Sequence, residues 1–236
     1  MAVLTITCDY DGDVTDQGTK DDTFENVNVG VKYKEYPRRV YIRFPLTDLP
    51  SNVVISQVRL YVHCNNAGGS AHLTDIHAYG TNGQEDPQQD TGLTLYDRCA
   101  SGNLYVDDSD ALRTEGDKWF VLGGSVAQDI VNAKNSVNRF SLALHEEGDN
   151  DSAATLATLE STGFPYPAKL EITYEVVAVI ETITANRFPM LYLAKPVKAQ
   201  ELISKVEGAT LVDAAKDFPK YLLKKGKANE LKSKWT

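Results

Sequence analysis

The sequence predicts an all-β fold: an antiparallel jelly-roll β-sandwich with one short helix, followed by a C-terminal extended or helical arm. Apolar and polar residues alternate along several short segments, most clearly in Val40–Phe44 and Gln57–Cys64. Turn-forming clusters such as Asn65–Ser70 separate these segments. Alternation with a period of two places one face of a strand in a core and the other in water. Many short strands of this kind favour a sandwich.

In the first half of the chain, long polar stretches interrupt a set of short strands. Within Val40–Phe44 the apolar residues point one way, whereas Tyr41 and Arg43 point the other. Residues 9–39 contain several glycines, which predict long loops with short strands such as Val27–Val31. The strands predicted here are 3–8, Val27–Val31, Val40–Phe44, Gln57–Cys64 and His72–Tyr79.

In the second half, residues 80–117 are polar apart from short apolar groups, and they predict long loops that cover the ends of the sandwich. Trp119–Leu122 then predicts a strand. Ser125–Ala133 predicts the helix, because Ser125 is a suitable N-cap and Val126, Ile130 and Val131 form one apolar stripe. The last strands predicted in the sandwich are Arg139–Leu144 and Leu170–Tyr174.

Composition sets the limits for the class of protein. The chain has 236 residues, of which 42% are hydrophobic. It contains no run approaching the roughly 18 apolar residues that a membrane helix needs. The N-terminal residues lack the basic and apolar regions of a signal peptide. Three interpretations stay open: the protein acts inside the cell, leaves as part of a particle, or has lost its natural start.

The three cysteines, Cys8, Cys64 and Cys99, do not indicate a disulfide framework, because their number is odd and no two lie close together. Cys8 and Cys64 continue apolar strand faces and are predicted to be small buried residues. Neither a Cys-x-x-Cys nor a His-x-x-x-His spacing occurs, so no zinc site is predicted. Of the four histidines, His63 and His145 are predicted on outward strand faces.

Charge divides the chain into a predicted sandwich, residues 1–175, and a basic C-terminal arm, residues 176–236. The arm carries 11 Lys and Arg against 6 Asp and Glu, whereas the sandwich carries 13 against 27. We expect the arm to dock on a neighbouring subunit or partner, because its sign is opposite to that of the sandwich. The apolar anchor predicted for this docking consists of Phe188, Met190, Leu191, Tyr192 and Leu193. No nucleic-acid binding is expected, because the acidic sandwich would repel phosphate.

An aspartate-rich segment raises the question of a metal site. Its carboxylates, if they lie on an irregular backbone, could converge on one hard cation. No cofactor is predicted with certainty, and two interpretations stay open: a structural Ca²⁺ site and a solvated acidic loop. The candidate ligands are Asp9, Asp11, Asp13 and Asp16.

Outward aromatic side chains are candidates for a sugar-binding platform, since an aromatic face packs against sugar C–H groups. Tyr41 and Tyr61 share the outward register of their strands. Tyr33, Tyr36 and Trp119 are further candidates, and packing in the core or at its rim is the alternative for each of these aromatic residues. The candidate glycan-binding residues are Tyr41, Tyr61, Tyr96 and Tyr105.

A series of short motifs follows a fixed order along the chain. A basic-aromatic strand is followed by Leu-Pro and by an alternating strand, and a tryptophan strand leads into the helix before a late Pro-initiated strand. The motifs are Tyr41–Phe44, Leu49–Pro50, Ile55–Val62, Trp119–Leu122, Val126–Val131, Leu159–Ser161 and Pro167–Tyr174.

From about Asp9 to Glu175 this order resembles the DNRLRE family, which are jelly-roll modules close to certain carbohydrate-binding modules. The resemblance implies a β-sandwich in which the tryptophan strand belongs to the core. It also implies polysaccharide binding, and a structural Ca²⁺ is frequent in modules of this kind. One motif differs: the family has Trp-x-Glu after the third strand, whereas this chain has Tyr79–Glu85 without a tryptophan.

Three functions stay open at this point. The first is a non-enzymatic structural component of an assembly, such as a virion decoration or spike protein or a surface-layer subunit, located on the virion or the external surface of a particle. The second is a polysaccharide-binding adhesion module. The third is an enzyme, which the sequence favours least, because no serine lies in a Gly-x-Ser-x-Gly elbow.

Overall fold

The computed structural model describes residues 1–23, 26–30, 36–70, 72–146, 153–157 and 166–177. Within these residues lie twelve strands, two α-helices and a 3-10 turn at Ala111–Arg113. The strands are β1 (Ala2–Thr7), β2 (Tyr10–Thr15), β3 (Lys20–Asp21), β4 (Asn26–Val29), β5 (Arg38–Pro45), β6 (Val53–Asn66), β7 (Thr74–Ala78), β8 (Leu104–Ser109), β9 (Gly116–Leu122), β10 (Arg139–Glu146), β11 (Ala154–Ala157) and β12 (Lys169–Val176), and the helices are α1 (Gly92–Arg98) and α2 (Val126–Ser136).

The strands form two antiparallel sheets. The first sheet has the order β1-β12-β6-β11-β4, with β9 paired to the opposite edge of β6. The second has the order β3-β2-β5-β10-β7-β8. The chain passes repeatedly from one sheet to the other, for example along β4, β5, β6 and β7. These sheets confirm the predicted antiparallel sandwich.

The main core lies between the inner faces of the two sheets and follows the predicted alternation. Val40, Ile42 and Phe44 of β5 belong to it, as do Leu60 of β6 and Leu142 of β10. The outward neighbours on each strand are excluded from this core, as a pleated strand requires. The inward and outward residues of β5 were therefore predicted correctly.

The outer face of the second sheet is covered by a smaller apolar cluster. Helix α1 inserts Leu95 into this cluster, which also contains Tyr41 of β5 and Ala143 of β10. The sequence predicts a loop here, whereas the structure has a seven-residue helix. Leu95 is its only fully buried residue, so the segment lacks the repeated apolar spacing that identifies a helix.

Helix α2 packs against β6 and β10. Val126, Ile130 and Ala133 are its buried apolar residues, and Val131 packs at the rim of the same core. The predicted helix is therefore confirmed, and it continues to Ser136. The predicted burial of cysteines is also confirmed, since all three are buried as free thiols.

The sandwich ends with β12, which reaches Val176, one residue beyond the predicted boundary. Residues Met1–Val177 form one compact unit. The amide of Val177 donates to the Asn52 carbonyl at 2.9 Å, so the last described residue is still bonded to the residue that precedes β6. The predicted arm otherwise lies outside the described residues, and the prediction of its role stays a prediction.

Candidate functional site

The outward face of the first sheet carries a row of large side chains. Strand β6 directs Arg59, Tyr61 and His63 outward because Val58, Leu60 and Val62 occupy the main core. The strands on either side bring their own outward residues into line, since Tyr61 lies opposite Trp119 of β9 and opposite Lys169 of β12. Three adjacent strands therefore build one surface.

An aromatic pair stands at the centre of this surface. The rings of Tyr61 and Trp119 have centroids 5.2 Å apart at an angle of 53°. The Arg59 guanidinium lies 4.6 Å from the Trp119 ring, and the Lys169 ammonium lies 5.2 Å from the Tyr61 ring. Trp119 remains 44% exposed, whereas Tyr61 is only 5% exposed. The indole is therefore the ring that a ligand can reach.

A second stacked pair continues the row. His63 and Tyr166 stack with ring centroids 4.4 Å apart and an angle of 15°. The His63 Nδ1 lies 2.7 Å from a carboxylate oxygen of Asp117, and the Tyr61 hydroxyl donates to the same oxygen at 2.8 Å. We call the surface formed by Tyr61, His63, Trp119 and Tyr166 the aromatic face.

Charged groups at the edge of the aromatic face are fixed by hydrogen bonds. The Arg59 Nε donates to Glu171 of β12 at 2.8 Å. The hydrogen bonds from His63 and Tyr61 lower the pKa of the Asp117 carboxyl. Burial and the hydrogen bond to Asp117 raise the pKa of Tyr61. Asp117 therefore stays an acceptor and Tyr61 a donor over the whole neutral range.

The aromatic face combines an exposed ring with neighbouring polar groups. The indole of Trp119 offers a flat apolar surface, while Asp117, Glu171 and Arg59 offer hydrogen-bonding groups at its border. This combination suits a ligand that has both C–H faces and hydroxyl groups. Val121, the next outward residue of β9, is also exposed and extends the apolar part.

The structure does not bring the four predicted glycan-binding tyrosines together. Tyr61 belongs to the aromatic face, but Tyr41 is completely buried under α1. Tyr96 packs against that same cluster, where Arg39 lies over its ring at 3.9 Å. Tyr105 points into the main core and donates to Asp129. The expectation of an exposed platform made by these four residues is therefore corrected.

Trp119 is also placed differently from the prediction. The resemblance put it in the core, whereas the structure shows it on the outward face of β9. Its neighbours Phe120 and Leu122 are the inward residues of that strand. The signal was present in the alternation of β9, because residues that flank inward positions must point outward. Tyr166 and Asp117 could not be found this way, since their contacts depend on the fold.

The aspartates proposed for Ca²⁺ lie on or beside a strand and have separate partners. Asp9 accepts from Arg43 at 2.9 Å. Asp11 accepts from the Cys8 thiol, at 3.6 Å. Asp13 accepts from the guanidinium of Arg38 at 3.0 Å and from the backbone amide of Asn28 at 2.8 Å.

Asp11 and Asp13 lie two positions apart on strand β2 and therefore share one face, but their carboxylates accept from different partners. Burial raises the pKa of Asp13 despite its arginine partner. Asp16, the fourth predicted ligand, follows β2, and its backbone amide donates to the Pro37 carbonyl. Three of the four carboxylates are thus directed to different groups, which corrects the expectation of convergence on one cation.

The predicted apolar anchor lies outside the described residues. The anchor consists of Phe188, Met190, Leu191, Tyr192 and Leu193.

The sequence was compared with known protein families and with curated proteins. No family profile and no curated sequence matches the chain. The described helices include none with the length and apolar character needed to cross a membrane.

Proposed function

We propose that the protein is a non-enzymatic binding module and that its aromatic face binds a polysaccharide. The observation that carries this proposal is the exposed indole of Trp119, bordered by fixed hydrogen-bonding groups. A sugar ring has an apolar face of C–H groups and a rim of hydroxyls. Trp119 supplies the stacking surface for the first, and Asp117, Glu171 and Arg59 supply partners for the second.

The aromatic face is preorganised, which supports binding without a large loss of side-chain freedom. Trp119 is held between Tyr61 and Arg59, and Arg59 is itself held by Glu171. Side chains that are already fixed lose little entropy when a ligand binds. The row also runs across three strands of one sheet, so that successive sugar units could contact neighbouring strands.

The substitution Trp119→Ala tests the proposal. We expect it to weaken binding by about 1 kcal/mol, or roughly fivefold, because one stacking contact is lost. A glycan array first identifies a polysaccharide that the full chain binds, and affinity electrophoresis in that polysaccharide then measures the change. The stability of the variant should fall only slightly, since the indole is largely outside the core.

The matched control is Tyr36→Ala, which removes an exposed aromatic ring elsewhere. Tyr36 is 57% exposed and precedes β5 of the second sheet. Its loss should leave the mobility of the protein in the polysaccharide gel unchanged. Equal binding by the Trp119→Ala variant, or the absence of binding across a broad array, would remove the aromatic face as a glycan site.

A structural role in an assembly is the second candidate, and a specific observation favours it. The net charge is positive over residues 176–236 and strongly negative over residues 1–175. Opposite charges on two parts of a chain favour contact between subunits. In this case the protein would be a subunit of a larger particle, such as a virion decoration or spike protein or a surface-layer subunit, on the particle's external surface.

The solution mass separates this role from glycan binding. We expect the full chain to associate, alone or with the other proteins of its parent particle, and we expect a chain ending at Val177 to associate less. Association should weaken as salt rises, because salt screens the attraction between exposed charges. If the two chains have the same mass and the same partners at low and high salt, the C-terminal region does not mediate assembly.

A further inference from the structure

Two histidines and an aspartate meet on the outer face of the second sheet, away from the aromatic face. Strands β7 and β10 pair so that His145 lies opposite Asp75, while His77 is two residues further along β7. The residues between them, Ile76 and Leu144, point into the main core. All three polar side chains therefore point outward at the same place.

Their ligand atoms converge. The Nε2 atoms of His77 and His145 are 3.0 Å apart, and Asp75 Oδ2 lies 3.9 Å from the first and 3.6 Å from the second. A point equidistant from three atoms so arranged lies about 2 Å from each, the bond length that zinc forms with histidine and carboxylate ligands. The three side chains are only 11%, 14% and 9% exposed. The point is thus largely shielded from solvent.

The second nitrogen of each ring is already used. His77 Nδ1 lies 3.1 Å from the Gly102 carbonyl, and His145 Nδ1 lies 3.1 Å from the Glu146 carbonyl. A carbonyl oxygen only accepts, so each Nδ1 must carry the hydrogen. In neutral rings both Nε2 atoms are then bare lone pairs that face each other at 3.0 Å. This contact is repulsive unless a positive charge, either a metal ion or a proton, lies between the two nitrogens.

The carboxylate is oriented in the same way. Asp75 Oδ1 accepts from the backbone amide of Asp108 at 2.9 Å, which leaves Oδ2 for the histidines. A bulge in β8 creates this contact, because Asp107 and Asp108 together oppose the single residue Asp75. Each of the three ligand groups thus has its other polar atom bound to the backbone. Hydrogen bonds of this kind are what holds metal ligands in orientation in proteins.

We propose that His77 Nε2, His145 Nε2 and Asp75 Oδ2 bind one divalent first-row transition metal ion, for which Zn²⁺ is the first probe. Imidazole nitrogens favour such ions over Ca²⁺ and Mg²⁺. The exposed carboxylates of Asp107 and Asp108 lie close to Asp75 and add negative charge at the entrance. The bound ion would join β7 to β10, and through Asp108 it would also hold the bulge of β8.

Some charged groups around the site favour the binding of a cation and one opposes it. Arg39, on the neighbouring strand β5, places a positive charge near His145 and opposes a cation. The three carboxylates of Asp75, Asp107 and Asp108 outweigh this charge. The competing explanation is a proton shared between the two histidines, and the experiment must distinguish it.

In the experiment, the full chain is first treated with a chelator and dialysed. ZnCl₂ is then titrated into it, and calorimetry measures the binding. We expect one ion per chain. His77→Gln and His145→Gln should each weaken the affinity for Zn²⁺ strongly. Substitution of a residue that only supports a metal ligand typically weakens metal affinity by roughly 10–100-fold, and loss of a ligand itself should weaken it by more. Asp75→Asn should also weaken the affinity for Zn²⁺, although the amide oxygen of the new side chain can still accept from the Asp108 backbone amide. His63→Gln is the matched control: it removes an imidazole from the other sheet and should leave the stoichiometry and affinity for Zn²⁺ unchanged.

A measurement on the unsubstituted chain covers the case in which a variant does not fold. Long-range ¹H–¹⁵N spectra identify the nitrogens of the four imidazoles, and Zn²⁺ should shift the Nε2 signals of His77 and His145 alone. Co²⁺ in place of Zn²⁺ should give visible absorption bands without a thiolate band. Failure to bind Zn²⁺ at micromolar concentration would overturn the proposal in favour of a shared proton. So would binding that involves other imidazoles or that survives both histidine substitutions.

Discussion

Asp129 lies in the first turn of α2, and its carboxylate accepts hydrogen bonds from three side chains. Its Oδ2 receives the hydroxyl of Ser125 at 2.6 Å, that of Tyr105 at 2.9 Å and the amide of Asn103 at 2.9 Å. A negative charge in the first turn also suits the helix dipole. Asp129 thus connects α2 to β8 and explains why Tyr105 belongs to the core rather than to a binding surface.

Replacing Asp129 by Ala should therefore be costly. We expect the free energy of unfolding to fall by roughly 3 kcal/mol, because the Tyr105 hydroxyl loses its acceptor in a buried position. Urea denaturation followed by circular dichroism measures the change. Gln128→Ala, one position earlier on the exposed side of α2, should change stability by less than about 0.5 kcal/mol. Equal stability of the two variants would show that the hydrogen bonds of Asp129 are not needed for folding.

At the scale of elements, the segment between β7 and α1 covers the outer face of the second sheet. Gly83 lies in this segment with φ of 78°. Its carbonyl accepts from the Ser141 amide of β10 at 2.8 Å, and its own amide donates to the Tyr79 carbonyl at 3.2 Å. A Cβ atom at this position would overlap the ring of Phe140. Gly92, which begins α1, has a similar φ of 61°, but a Cβ atom there would meet no neighbouring atom.

These two glycines form a matched pair. Gly92→Ala should destabilise the protein only through its positive φ, by about 1 kcal/mol. Gly83→Ala should cost about 1–3 kcal/mol more, because the added methyl group also crowds the core. Thermal unfolding of both variants measures the difference. If the two variants unfold alike, this segment can move away from Phe140 without loss.

For the whole molecule, the described strands and helices all lie within residues 1–177. A chain that ends at Val177 keeps every pair of β12 with β6, including Val176 with Val53. We expect this shorter chain to be soluble and to unfold cooperatively in urea. An unfolded short chain beside a folded full chain would mean that the C-terminal region contributes to the core of the sandwich.

The alternation of apolar residues was by itself enough to predict much of this fold. Val40, Ile42 and Phe44 point inward because a pleated strand has a period of two and one of its faces must be buried. The same rule predicts α2 from the spacing of Val126 and Ile130. Local patterns of this kind depend only on neighbouring residues, so the sequence displays them directly.

Only the tertiary structure decided which outward faces are exposed and which side chains meet. Tyr41 and Tyr61 have the same outward register, yet Tyr41 is buried because α1 covers its sheet. His77 and His145 are 68 positions apart, so no sequence spacing indicates their contact. Strand pairing creates such contacts between distant parts of the chain. The period of a strand is a local property, whereas the partners of an outward side chain are set by how the sheets and their covering segments pack.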